Sequence, residues 1–277
     1  MKKFTLMTFV VLFVTSATFS QKHNSLNLKK GQKYIVENKI NSHTTTDIQG
    51  QSMENISDIN STYNIEVGDI KDSISLTNTI SGIKLVMTQM GQEITFDSEK
   101  TEDLEGPIGG ALKEVIKKPQ AVTISKTGKV APIPEGANEE ENMILKQMGD
   151  FNASGYGASM AFGTVPENAK VGTTWTDATE EDGTVRSTTY TVKSINGDLA
   201  TLDIAGTAST ELNMTNQGME MTVKSSGKFT GEQVINVKTG VIQSNITKVD
   251  SEGTVSAMGQ EFPTVTKLTS TTTVKAQ

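Results

Sequence analysis

The sequence predicts a mainly β (α+β) fold: an internally duplicated antiparallel meander of long curved strands, half-barrel or sandwich-like, carrying a small helical insert. Three observations lead there. First, four Gly-centred segments recur: Gln49-Gly50-Gln51-Ser52-Met53-Glu54, Met90-Gly91-Gln92-Glu93-Ile94, Gln217-Gly218-Met219-Glu220-Met221 and Met258-Gly259-Gln260-Glu261-Phe262. Gly50 and Gly91 are 41 positions apart, as are Gly218 and Gly259, so a two-tip unit repeats after 168 residues. Second, apolar residues between the tips alternate with polar ones, the period of a strand with one buried face. Third, the middle of the chain abandons that period for helix-start signals and glycine punctuation. The organisation that follows is a signal peptide at 1–20, a first meander at 21–105, an insert at 106–167 and a second meander at 168–277.

The first twenty residues have the layout of an export signal, with Lys2 and Lys3 ahead of an apolar run from Leu6 to Val14 and a small-residue cleavage zone at Ala17-Thr18-Phe19-Ser20. That run is shorter than the ~20 residues a membrane-crossing helix needs, and no later segment approaches it, so no membrane span is expected. The chain has no cysteine, so neither a lipid-anchor thiol nor a disulfide framework is available.

In the first meander Met53, Ile59, Tyr63, Ile65 and Val67 share odd parity and belong on one face. Gly68-Asp69 supplies a turn. Ile74, Leu76 and Ile80 then keep even parity until Gly82, after which Ile83, Leu85 and Met87 take over on odd positions, the signature of a β-bulge. The second meander repeats the plan, with Lys238-Thr239-Gly240 as its turn. Strands of ~15 residues exceed the usual range and must coil as twist accumulates. A lysine–glycine turn followed by an aromatic strand start occurs twice, at Asn27 to Tyr34 and at Asn168 to Trp175, and Asn196-Gly197-Asp198 marks an extra hairpin. In the insert, the residues predict a helix from Ala111 to Lys117, a hairpin from Val122 to Ile133 and a second helix from Asn138 to Met148. Tyr156, Met160, Ala161 and Phe162, set among glycines, suit a lid or plug against the sheet.

Composition excludes several functions. The formal charge is −7, and becomes −9 without the two leader lysines; Arg186 is the one arginine, so no nucleic-acid partner is expected. His23 and His43 are the only histidines, and neither has a base–nucleophile context, so no enzyme and no catalytic residue is expected. Asp177, Glu180, Glu181 and Asp182 form an acidic group without calcium-loop spacing and read as a solvated turn, as do Glu102, Asp103 and Glu105. Gly106-Pro107-Ile108-Gly109-Gly110 lacks the lysine of a phosphate-binding loop and reads as a helix entry. No metal site and no cofactor follow from these residues.

Methionine is the least ordinary signal. Seven of the methionines, Met53, Met87, Met90, Met214, Met219, Met221 and Met258, lie within four residues of a tip glycine. If the tips share one end of a sheet, their flexible thioethers form a rim suited to irregular apolar surfaces, though filling gaps in an outer core is the simpler role. Met219-x-Met221 and Met87-x-x-Met90 also admit a narrower idea, Cu(I) held by thioethers. Together with Met160, Phe162 and Trp175 on the inner face, the seven make up the candidate ligand-binding set.

The Lys-Gly-x-x-Tyr/Trp strand starts, the Gly128-Lys129-Val130 hairpin, the Val171-Gly172-Thr173-Thr174-Trp175 segment and the recurrent Met-Gly-Gln-Glu tips resemble an uncharacterised family of exported β-rich proteins of Bacteroidota. The resemblance spans nearly the whole chain after the leader and implies a scaffold; it transfers no catalytic residue. The Phe19-Ser20-Gln21 junction is similar to cleavage sites of that phylum, and Val265 to Val274 reads as a last strand, which places the protein in the periplasm in preference to the exterior. The functional expectation is a non-enzymatic periplasmic binding or carrier-like protein for a lipid or other apolar or amphiphilic ligand. The alternative is a structural module that meets an envelope protein and has no small-molecule pocket.

Overall fold

The computed structural model describes residues 22–132 and 155–277, except Met90, Glu114, Asp182, Gln217, Gly218 and Met258. The leader and the helix expected from Asn138 to Met148 lie outside the described residues. The strands are β1 (Lys33–Ile48), β2 (Gln51–Ile70), β3 (Ser73–Gln89), β4 (Gln92–Asp97), β5 (Pro119–Ser125), β6 (Thr174–Glu181), β7 (Thr184–Asn196), β8 (Leu199–Asn216), β9 (Met219–Asn236), β10 (Ile242–Ala257) and β11 (Gln260–Ala276). Among the described residues three short helices accompany them: α1 (Thr101–Glu105), α2 (Pro107–Leu112) and α3 (Tyr156–Ala161).

All strands join one open sheet in the order β4-β3-β2-β1-β11-β10-β9-β8-β7-β6, with β5 pairing the free half of β3. Every strand pairing is antiparallel. The fold is therefore the long-stranded antiparallel meander expected. Adding 168 to the residue numbers carries β1 onto β8, β2 onto β9, β3 onto β10 and β4 onto the start of β11. The two copies stand head to tail, and the last strand of the second pairs with the first strand of the first, from Tyr34 opposite Ala276 to Thr46 opposite Thr264.

The antiparallel order puts the turns at Gly50, Gly91, Gly183 and Gly259 at one end of the sheet, the tip end. Each of those glycines has positive φ, as the tight turns require. The other end carries the lysine–glycine turns, which the structure builds alike. The N–H of Gly31 donates to the Val67 carbonyl at 2.7 Å and that of Gly172 to the Val192 carbonyl at 2.8 Å. The second such turn opens the extra β6–β7 hairpin, so it is displaced from the 168-residue repeat.

Parity fixes the faces. Ile59, Tyr63, Ile65 and Val67 of β2, Ile74, Leu76 and Ile80 of β3, and Val36 and Ile40 of β1 are buried together, and the parity change in β3 is a bulge in which Ser81 is skipped between Thr62–Gly82 and Tyr63–Ile80. Gly68-Asp69 is not the turn: β2 runs on to Ile70 through a second register shift, and the chain reverses at Lys71-Asp72. The first helix also starts earlier than Ala111, because Pro107 suits the first helical position and α2 is packed so closely on α1 that a Cβ on Gly109 would stand 2.2 Å from the Asp103 carbonyl. Beyond β5, the expected hairpin return is reduced to a bridge between Ile124 and Val130. Asp177, Glu180 and Glu181 belong to β6 and not to a turn.

Two clusters of buried side chains sit on the same inner face at the turn end. The larger joins the first meander to α3, β5 and Leu112; the smaller gathers Val165, Trp175, Val192, Leu202, Ile235 and Ile242 under the second meander. Each fully buried Ile, Val or Leu contributes roughly 1.5–3 kcal/mol. The segment before β1 ties the parts together, with the N–H groups of Asn24, Leu26 and Asn27 donating to the carbonyls of Val165, Lys126 and Thr239.

Mid-strand glycines shape the second copy. A Cβ on Gly253 would stand 2.2 Å from the Lys224 carbonyl, and one on Gly206 would meet the Ser187 carbonyl at 2.2 Å, so neighbouring backbones close up where a side chain would hold them apart. Gly253→Val should destabilise the protein by about 1–3 kcal/mol in urea unfolding. In the first core, a Cβ on Gly157 of α3 would stand 2.9 Å from Tyr63 and 2.7 Å from Asn78 Oδ1. Gly157→Leu should therefore unseat α3, read as faster amide exchange at Ala158 to Phe162 while the β8–β9 amides keep their protection; unchanged exchange at α3 would refute this packing.

Candidate functional site

The described insert residues occupy only the turn half of the inner face. The α3 helix is held between the strands by buried Ala158 and Ala161; Met160 packs against the core and its Sδ accepts a hydrogen bond from Thr272 Oγ1 at 3.5 Å. Phe162 is buried edge-to-face on Tyr34, with ring centroids 5.4 Å apart. Trp175 belongs to the second cluster, stacked on Tyr190 at 5.1 Å and met edge-on by the His23 ring at 5.9 Å. These three candidates are core residues, Met160 and Phe162 at the first cluster and Trp175 in the second. Tyr63 is equally a core residue, and burial pushes its phenol far above the usual range.

Two clefts lie elsewhere. One of about 360 Å³ opens at the tip end against Ser52, Met53, Glu54, Ile56, Thr88 and Gly91. Another of about 240 Å³ lies at the turn end beside the second core, against Val165, Pro166, Ala169, Val192 and Ala200 among others. Met160 and Phe162 line neither.

Toward the tips the inner face carries no insert residue among those described, and its composition changes. Following the register from β2 to β7, one row reads Asn55, Thr44, Thr266, Ser251, Gly227, Ala208, Arg186; the next reads Met53, Thr46, Thr264, Gly253, Ser225, Thr210, Thr184. Hydroxyls in these rows and the one below pair across strands: Ser42 with Ser57 at 2.7 Å, Thr44 with Thr266 at 2.9 Å and Thr184 with Thr210 at 3.1 Å. Beyond them, half-buried Phe262, Val255, Val223 and Leu212 form a last, apolar row, followed by Met221 opposite Ala257.

The methionines do reach the tip end, but not one spot. Met53 and Met87 sit on β2 and β3, whereas Met221 sits on β9, four strand spacings from β2, roughly 19 Å along the sheet. Met90 and Met258, and the side chains of Met214 and Met219, lie outside the described residues, which also leaves the thioether copper idea there.

Among the described strands one cationic group projects on this open half. Arg186 on β7 is exposed, and its guanidinium carbon lies 4.3 Å from the centroid of Phe229 on β9. Gly206 on the intervening β8 makes that possible: a Cβ there would stand 2.3 Å from Phe229 Cζ, so the ring lies across the glycine to reach the arginine. Nothing in the linear sequence signals this trio, because residues 186, 206 and 229 meet only through the register. Elsewhere, His43 Nε2 is 3.7 Å from Glu54 Oε2 on the exposed outer face, and Asp103 Oδ2 accepts the backbone N–H of Asp97 at 2.8 Å. Among the described residues no three His, Cys, Asp or Glu side chains could together hold a metal ion, and no helix is long and apolar enough to cross a membrane.

Among solved structures, the chain is similar to lipovitellin, in a structure titled for its lipid–protein interactions, with a TM-score of 0.51 and 12% identity. That likeness covers 91% of this chain but 26% of lipovitellin, so the chain spans about a quarter of that protein's length, and it bears on fold alone. An outer membrane channel from Pseudomonas putida F1 aligns over 91% of this chain and 98% of its own at 9% identity, with a TM-score of 0.23, well below a shared fold. No curated protein matches the sequence. A family model described as a family of unknown function (DUF6263) matches twice, over residues 71–155 and 142–242, which together take in the end of the first meander, the insert and most of the second, more than half of the chain. The chain belongs to that family of unknown function.

Proposed function

We propose that this protein is a non-enzymatic, exported binding or carrier-like protein, resident in the periplasm, that takes an apolar or amphiphilic ligand on the tip half of its inner sheet face. The observation that carries the reading is the division of one continuous face: the turn half is packed with insert and core, while the tip half presents hydroxyl rows edged by Phe262, Val255, Val223, Leu212, Met53 and Met221. Half-buried apolar side chains at the rim of a curved sheet offer area for a ligand chain to cover. The fold likeness to a lipid-associated protein is consistent with this ligand class, and the leader-like start of the sequence supports export. Met160, Phe162 and Trp175 keep the scaffold together and are not contacts of the ligand.

Native mass spectrometry of protein taken from its own cell envelope should show a ligand-bound mass, and the stripped protein should take up a fluorescent fatty acid. A clean apo mass with no uptake would sink the reading. It would favour the structural, protein-interaction alternative, for which the solid packing around Met160 and Phe162 speaks. Substitution separates the two halves of the face. Val223→Asp with Phe262→Asp should lower uptake at least tenfold while leaving the unfolding midpoint close to wild type. Phe162→Ala should cost about 3–5 kcal/mol of stability with uptake retained by the folded fraction.

A further inference from the structure

Resting on that reading, we infer that Arg186 is an anion-recognition point, and that the ligand is an amphiphile with a single anionic head, such as a long-chain carboxylate. Arg186 is the only arginine of an acidic chain, and the strand parity sends the neighbouring lysines outward: Lys224 and Lys228 of β9, Lys248 of β10 and Lys267 of β11 are all exposed on the opposite face. The guanidinium is thus the one cation that the described strands place on this face. Among the described residues no carboxylate forms an ion pair with it. Two acids of β6 share its face, each one row away: Asp177, deeper and opposite Thr188, and Glu181, nearer the tips and opposite Thr184, whose side chain lies outside the described residues; Arg186 itself faces Thr179.

The setting leaves the guanidinium edge open. The guanidinium carbon sits over the Phe229 ring, a cation–π contact that anchors the end of the side chain. The residues beside it in the register are Ala208 and then Gly227, too small to cover it, and the paired hydroxyls of Thr184 and Thr210 lie one row nearer the tips. A planar fork held this way matches the two oxygens of a carboxylate, which it can bind bidentately. From there the apolar row of Leu212, Val223, Val255 and Phe262 is two rows away toward the tips, in position to receive the chain.

The experiment compares a spin-labelled long-chain fatty acid with its methyl ester, the same chain without the charge, on full-length protein at a pH where the acid is ionised. Wild type should bind the acid at least tenfold more tightly than the ester. Arg186→Met, which keeps the stem over Phe229, should bring the acid down to the affinity of the ester without changing the ester, and Arg186→Lys should restore part of the difference. Circular dichroism melts confirm that the variants fold. Equal binding of acid and ester by wild type overturns this inference and leaves the proposed function standing. Failure of both probes to bind overturns the proposed function itself.

Discussion

The β1–β11 ladder is the interaction on which the rest depends. It joins the beginning of the first meander to the end of the second in unbroken register, so two four-stranded units become one sheet. Backbone groups in a strand must be paired or solvated, and two separate copies would expose these two long edges. The ladder also places polar side chains correctly: Asn38 Oδ1, buried in the middle of the inner face, accepts hydrogen bonds from Ser270 and Thr272 of β11, each at 3.1 Å. Val274 of β11, and Leu268 three rows nearer the tips, extend the first core across the junction.

Duplication would extend such a sheet indefinitely if every copy ended alike, and the chain prevents it at one point. Where β11 continues to Ala276 and zips onto β1, its counterpart β4 stops at Asp97 and the chain leaves the sheet. Buried Ser98 secures the departure: its backbone N–H donates to the Ile83 carbonyl at 2.9 Å, and its Oγ accepts the Ile83 N–H at 2.8 Å. The residues released this way build α1 and α2 and lead to β5 and α3, which cover the inner face of the turn half. One divergence between the copies thus shortens a sheet edge and supplies the core's lid.

The fold was legible because period two and positive-φ turn glycines are local signals. Ile59, Tyr63, Ile65 and Val67 declared their face, Gly82 marked the bulge, and the 168-residue repeat marked the two copies. The Gly68-Asp69 turn was misplaced because a bulge and a turn share the same residues, and the burial of Ile74 two residues beyond the true reversal decides between them only in the fold. Candidate site residues were harder. Met160, Phe162 and Trp175 are apolar, and apolarity alone does not separate a core side chain from a ligand contact. The hydroxyl rows and the Arg186–Gly206–Phe229 trio are products of register, which unites residues from three to seven strands and leaves no trace in any one segment.

An inner face that no described insert residue covers toward the tips raises a solvation problem, and the hydroxyl rows answer it. A face of leucine and valine along the full length of these strands would be an aggregation surface, whereas threonine and serine remain compatible with water. Cross-strand pairs such as Thr44–Thr266 and Thr184–Thr210 each spend one of their two hydroxyl protons on the other, which reduces the donors the rows offer. Such a surface has little power to recognise a ligand by specific hydrogen bonds. In the binding role proposed here, affinity then has to come from the apolar row at the tips, and orientation from the cation set beside it, so the polarity of the middle rows is what allows those two contributions to stand apart on an otherwise permissive face.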